Sequence, residues 1–168
     1  MPPSGRLGAR RTATGGFTLL ELLLIVAIAG LALLGGLRLA APAGEMGAAL
    51  RLKSVILWAR SEAIWRGAPV SVSAGPGGTG FEVRRINAGE AAACGAGELL
   101  TTLGLSDFPG VRVASGFPSG GLIWLPSGGG RACSGGGVIS ATVVLRGYLG
   151  SAEVVVSSLG RVRVSRGG

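Results

Sequence analysis

The chain has 168 residues, of which 48% are hydrophobic and 33 are glycine, and its 16 basic and 8 acidic residues give a formal charge of +8. That length holds one compact core behind a helical anchor and would crowd two domains. With no histidine in the chain, and with Glu82, Glu90, Glu98, Asp107 and Glu153 lacking the paired spacing of acid–base residues, neither an enzyme, a metal site nor a cofactor is expected.

At the N-terminus Arg6, Arg10 and Arg11 precede GFTLLELLLIVAIAG, residues 16 to 30. The arginines favour the cytoplasm and send the chain beyond the apolar run to the far side, the periplasm of a Gram-negative cell. One acid, Glu21, stands near the start of that run, and a carboxylate at the centre of a bilayer costs about 2.5 kcal/mol or more without a partner. Cleavage after Gly16 would supply one. Phe17 becomes the new N-terminus, Glu21 becomes the fifth residue of the mature chain, and the α-ammonium of one subunit can neutralise Glu21 of its neighbour. A secretory signal cut after Ala41-Pro42-Ala43 is the competing reading. It leaves Glu21 and Arg38 unexplained, and the uncharged run from Leu22 to Leu37 exceeds the usual signal core of about 7 to 15 residues.

From Phe17 the pattern predicts one long helix to about Arg66, on the order of 75 Å at the helical rise. Its first half is apolar all round. Its second half carries Leu52, Ile56, Ala59 and Ala63 at helical spacing, with Arg51, Lys53, Arg60 and Arg66 elsewhere and Glu62 placed to pair with Arg66. Gly35, Gly36, Pro42 and Gly44 predict a kink or a locally melted turn between the halves. The expected organisation is a leader over 1–16, a transmembrane or filament-core helix over 17–41, an amphipathic half over 42–66 and a β-rich periplasmic domain over 67–168.

Beyond the helix the period becomes two. Residues 69–74 and 81–86 read as a hairpin, and 111–115, 122–125, 138–146, 153–157 and 161–165 as further strands of a largely antiparallel sheet. Residues 87–105 and 126–137 read as glycine-rich loops, each with one cysteine. In an oxidising compartment Cys94 and Cys133 are expected to form a disulfide joining the two loops, the alternative being unpaired thiols. GPGGTG at 75–80 satisfies G-x-G-x-x-G, but a strand comes next where a dinucleotide site needs a helix N-terminus, so it reads as a hairpin loop.

The N-terminal block, Gly16 followed by Phe-Thr-Leu-Leu-Glu, resembles the type IV pilin superfamily. Three later segments, LKSVILWARSEAIWRGAPVSVS, LIWLPSGG and VVVSSLGRVRVSR, are similar to its GspH/FimT branch in the ARSEA helix end, the Pro-x-Gly turn and the C-terminal G-R-x-R strand. The resemblance covers most of the chain in order. It implies an α+β, pilin-like fold with a long N-terminal helix packed on a mainly antiparallel β-sheet domain. It also implies cleavage between Gly16 and Phe17 by a prepilin peptidase, N-methylation of Phe17, and assembly through Glu21 with other pilins or pseudopilins in a helical filament that starts from the inner membrane. The implied function is that of a minor pseudopilin at or near the tip of a type II secretion filament. The alternative is a FimT-like type IV pilus minor pilin that binds double-stranded DNA through Arg161, Arg163 and Arg166 of the terminal strand. Without the leader's three arginines the chain keeps 13 basic residues against 8 acidic ones, a net +5, which suits either.

The N-terminal block generates a processing prediction. Gly16→Leu leaves an unprocessed precursor in the membrane fraction, whereas the native sequence yields, by mass spectrometry, a mature chain beginning at methylated Phe17. A chain beginning at Gly44 would select the secretory reading instead.

Overall fold

The structure, a computed structural model, describes residues 18–39, 44–89, 93–134, 137 and 139–167, with the side chains of the first helix described as far as Gly30. The leader arginines, Gly16, Phe17, Pro42 and Glu90 lie outside the described residues. The chain divides into two compact units, Met1–Ala41 and Pro42–Gly168.

In the first unit α1 spans Leu19–Leu39. Thr18 opens it: its Oγ1 accepts from the Glu21 N–H at 3.3 Å, and its carbonyl accepts from Glu21 and Leu22. Thr-x-x-Glu is the spacing of a capping box, and an acid in the first turn also complements the positive end of the helix dipole. Leu19, Leu20, Leu22, Leu23, Leu24, Ile25, Val26 and Ile28 are all exposed, so this helix is apolar on every side. Among the described residues no helix is long and apolar enough to cross a membrane; the span expected from the sequence continues past Gly30, where the side-chain description stops.

The expected single helix is described as two. In the second unit α2 spans Glu45–Arg66, with Gly44 at its N-cap. It ends where Gly67 turns left-handed (φ 61°, ψ 24°) and its N–H bonds the Ile64 carbonyl at 3.4 Å, a conformation that glycine adopts without a Cβ penalty. Glu62 and Arg66 form the expected pair, and the hydrogen bond from Arg66 raises its guanidinium pKa above the ordinary value.

The described residues of the second unit then form nine strands: β1 (Val70–Ala74), β2 (Gly80–Arg85), β3 (Glu98–Gly104), β4 (Arg112–Ser115), β5 (Gly121–Trp124), β6 (Gly130–Ala132), β7 (Ala141–Arg146), β8 (Ser151–Val156) and β9 (Val162–Gly167). They make two sheets, ordered β3-β2-β1-β5-β6 and β4-β7-β8-β9, with every pairing antiparallel. The seven expected strands are present within a few residues of their predicted bounds. The two loops read from glycine content are corrected, because β3 lies inside 87–105 and β6 inside 126–137. GPGGTG is the β1–β2 turn, with Gly77 and Gly78 at positive φ.

The core lies where α2 meets both sheets. Ala48, Ala49, Leu52, Ile56, Ala59 and Ala63 form its buried face. They join Val70, Val72, Phe81, Val83, Leu122 and Trp124 of the first sheet and Val143, Leu145, Ala152, Val154 and Val156 of the second in one cluster. Alanine at four of the six helix positions lets the backbone approach the strands. Phe81 meets Phe117 edge to face, with centroids 5.8 Å apart. A disulfide joins Cys94 to Cys133, Cα atoms 5.4 Å apart and 39 residues apart in sequence. It fastens the approach to β3 to the end of β6, and closing a loop of about 40 residues stabilises by roughly 4 kcal/mol in the chain-entropy model.

The three segments that carry the GspH/FimT resemblance converge on one point. Arg60, from the ARSEA helix end, lies over the Trp124 ring of LIWLPSGG, 5.4 Å from its centroid. Its Nη1 donates to the carbonyl of Gly160, the glycine of G-R-x-R, at 3.5 Å. Gly160 has φ 74°, and a methyl group there would stand 3.1 Å from Trp124 Cζ3 and 3.2 Å from Cη2. Gly160→Ala therefore combines a left-handed alanine with a clash against a buried ring, and the strain alone is worth about 1–3 kcal/mol. Urea unfolding of the detergent-solubilised chain, followed by tryptophan fluorescence, should show a lower midpoint. An unchanged midpoint would mean that the turn relaxes away from Trp124.

Candidate assembly and nucleic-acid surfaces

The helix α2 carries a second apolar face. Leu50, Leu57, Trp58, Ile64 and Trp65 are exposed, and their spacings of seven, one, six and one place them on the side away from Leu52, Ile56, Ala59 and Ala63. Trp65 is 87% exposed, so the fold of its own domain leaves this ring almost uncovered, and Ile64 is half exposed. Ser54 and Ser61 run down the middle of this face, and both turn their hydroxyls back onto the helix. Ser54 Oγ donates to the Arg51 carbonyl at 2.7 Å and Ser61 Oγ to the Leu57 carbonyl at 3.2 Å. With their donors used locally, the two serines are small residues set between large apolar side chains. Arg51 and Glu62 border one side of the stripe, Lys53 and Arg60 the other. The residues of this face are the ones that sequence reasoning missed; counting two apolar arcs on the helical wheel, rather than one, is the signal that finds them.

Glu21 lies in the first turn of α1, exposed, with its carboxylate unpartnered among the described residues. Its backbone role in the helix start is explained locally. The carboxylate in an apolar helix is not. The cleavage and methylation positions Gly16 and Phe17 lie outside the described residues, as does any contact they make.

The terminal arginines are divided by the strand. Arg161, just before β9, and Arg163 are exposed on the outer face of the second sheet. With Val155, Ser157 and Leu159 they line a shallow depression of about 330 Å³. Arg166 has the other parity: it registers with the buried Ala152, on the side of Val162 and Val164, and is exposed only because it lies at the strand end. Arg112 and Arg146 are register partners on β4 and β7, both exposed. Arg146 alternates with the buried Leu145 and Val143, so this pair shares the outer face with Arg161 and Arg163. Glu153 lies on the same face, opposite Ser165 and Val144. Arg84 and Arg85 belong to the first sheet and are engaged there. Arg84 Nε donates to Glu82 at 2.8 Å and its Nη1 to the Gly97 carbonyl at 3.1 Å; Arg85 pairs with Glu98. Arg131 lies on β6, in the first sheet. Among the described residues no group of histidine, cysteine or acidic side chains is arranged to hold a metal.

Comparison with known proteins agrees with this geometry. The model of the family described as type II transport protein GspH matches residues 48–168. No curated protein sequence matches the chain. Among solved structures, the type IV minor pilin FimU of Pseudomonas aeruginosa superposes with a TM-score of 0.52 at 19% identity, covering 70% of this chain and 85% of FimU. A second crystal form of FimU gives 0.50 at 20% identity, covering 70% and 90%. The minor pseudopilin EpsH from the type 2 secretion system of Vibrio cholerae gives 0.48 at 16% identity, covering 70% and 93%. At such identities the FimU likeness concerns the fold alone. The family match, however, runs from the buried face of α2 through both sheets to the terminal strand, and the chain belongs to the GspH family of pilin-like minor subunits, which are structural components and not enzymes.

Proposed function

We propose that this protein is a minor pseudopilin of a type II secretion filament, anchored by α1 in the inner membrane with its β-rich domain in the periplasm. A prepilin peptidase cleaves after Gly16 and methylates Phe17, and the subunit then assembles with other pseudopilins at or near the filament tip. The observation that carries the assembly reading is the outer face of α2. A helix that is apolar on two opposite sides is built to be covered on both, and its own domain covers only one. The outer stripe, with Ser54 and Ser61 as its floor, has the shape to receive an apolar helix of the α1 type from a neighbouring subunit. Glu21 then selects the register, because its carboxylate finds a cation only at a neighbour's N-terminus. The choice of the secretion system is supported by the family's description as a type II transport protein.

This reading predicts a separation of folding from assembly. Trp65→Ala removes a ring that is 87% exposed, so the unfolding midpoint should hold, while a tryptophan buried at an interface is worth about 2 kcal/mol or more to association. Glu21→Ala should likewise preserve membrane insertion and cleavage and reduce filament incorporation. Co-purification of the variants with the other filament subunits is the measurement, and incorporation at the native level in both would refute the assembly surface.

One observation favours the second reading, a type IV pilus minor pilin that binds DNA: Arg112, Arg146, Arg161 and Arg163 share one sheet face. Phosphate contacts from such a face would hold duplexes of unrelated sequence alike, since backbone contacts carry no base information. Each phosphate neutralised contributes about −0.9 to the log–log salt slope, so Arg161→Gln with Arg163→Gln should flatten it by roughly 1.8. Replacing the engaged Arg84 and Arg85 should leave the slope unchanged. Equal losses from both pairs in a mobility-shift titration, or no binding at low salt, would reject DNA as a ligand.

A further inference from the structure

The four outer edges of the two sheets are guarded unequally. β6 has three residues and β4 has four with a register shift, both too short to template a partner strand. β9 is flanked and studded by Arg161, Arg163 and Arg166. Short strands and edge charges are the usual means by which proteins prevent edge-to-edge association. β3 lacks both. It has seven residues, it is the outermost strand of its sheet, and after Glu98 its sequence Leu-Leu-Thr-Thr-Leu-Gly holds no charge and no proline. Among the described residues no strand pairs with its outer side, so a row of backbone N–H and C=O groups faces outward.

A groove runs beside this edge. Arg51, Ser54, Val55 and Trp58 of α2 and Leu100 and Thr101 of β3 enclose about 440 Å³. Two consecutive residues of β3 line it because the strand bulges there: Val83 registers with Thr101 but Arg84 with Leu99, which leaves Leu100 as the extra residue and turns it towards α2. The bulge would ordinarily blunt the edge. Here it provides an apolar floor instead. The Arg51 guanidinium at the mouth has no ion pair among the described residues, in contrast to Arg66, Arg84 and Arg85.

We propose that the β3 edge and this groove accept an extended, acidic segment of another polypeptide as an added strand. Main-chain hydrogen bonds to β3 hold the segment, an apolar side chain fills the groove over Val55, Trp58 and Leu100, and a carboxylate two residues along meets Arg51. Alternation in an extended strand gives that spacing, and the combination of edge pairing with side-chain pockets is the logic of β-strand addition. Charge complementarity selects the acidic partner: residues 44–168 carry 12 basic and 7 acidic side chains, and the charged group lining the groove is a cation. The inference stands apart from the helix-mediated assembly proposed above, since it rests on the strand edge and the flank of α2 and shares only Ser54 and Trp58 with the outer stripe.

The test titrates the detergent-solubilised full chain with a fluorescein-labelled hexapeptide, Thr-Val-Glu-Val-Thr-Glu, acetylated and amidated, and with the same peptide N-methylated at alternate amides. N-methylation keeps the charge and removes three main-chain donors, so strand addition predicts a loss of more than about tenfold in affinity. Arg51→Glu, an exposed change that the core does not feel, should weaken the unmodified peptide by about two- to fivefold. Hydrogen–deuterium exchange should slow in β3 on binding and not in β9. Equal binding of the two peptides, protection at β9 instead of β3, indifference to Arg51→Glu, or no saturable binding would each overturn the proposal.

Discussion

Arg60 ties α2 to both sheets by directional contacts. Its guanidinium lies over Trp124 of the first sheet and donates to Gly160 in the turn before the last strand of the second. A cation over an indole contributes about 0.5–2 kcal/mol, depending on how dry the site is. The hydrogen bond to Gly160 is long, at 3.5 Å, and contributes less than the roughly 1.5–3 kcal/mol of a well-formed bond from a charged donor. Neither figure is large against the apolar core, but burial has no direction. The stripe of Leu52, Ile56, Ala59 and Ala63 sets which side of α2 faces the sheets. The Arg60 contact adds a directional tie within that arc. Gly160 must be glycine for Trp124 to lie against its backbone, so the ring, the turn and the cation form a single geometric requirement distributed over segments 36 and 64 residues apart.

With that rotation set, Arg51 and Glu62 on one side and Lys53 and Arg60 on the other fall into two narrow seams between two apolar arcs. The inner arc is made of small residues because two sheets press on it. The outer arc is made of leucine, isoleucine and tryptophan, which its own domain covers only in part. Leaving such side chains in water forgoes roughly 25 cal/mol for each Å² that a partner would cover. Exposure of one large side chain is ordinary in a folded protein. Five along one helix, with the intervening hydroxyls turned inward, is a surface prepared for contact.

Much of this was legible in the sequence. The apolar block around Glu21, the inner stripe of α2 and seven of the nine strands among the described residues have the right period over enough residues to be read directly. β3 was not, because Leu-Leu-Thr-Thr-Leu has paired rather than alternating residues; the bulge at Leu100 is what reconciles that pairing with a strand. β6 was missed because three residues carry no period. The division into two sheets depends on which strands find each other, which no local pattern records. The resemblance implies Arg166 alongside Arg161 and Arg163, yet an odd spacing from Arg163 puts it on the other side of the strand. The joining of the ARSEA, Leu-Pro-Ser-Gly and G-R-x-R segments was equally hidden, although each was recognisable alone: a motif shows that its residues matter and leaves open what they touch.

The positive charge of the domain is also arranged by the fold rather than by composition. In the first sheet Glu82 and Glu98 neutralise Arg84 and Arg85. In the second sheet a single acid among the described strand residues of the outer face, Glu153, lies among Arg112, Arg146, Arg161 and Arg163 and leaves that face basic. Its inner face packs on the same core as the buried arc of α2, so the basic face and the outer stripe of α2 point away from each other across the domain. A neighbour that covers the stripe therefore leaves the arginines in solvent. The assembly through the helix and the anion binding through the sheet proposed above would therefore not compete for surface.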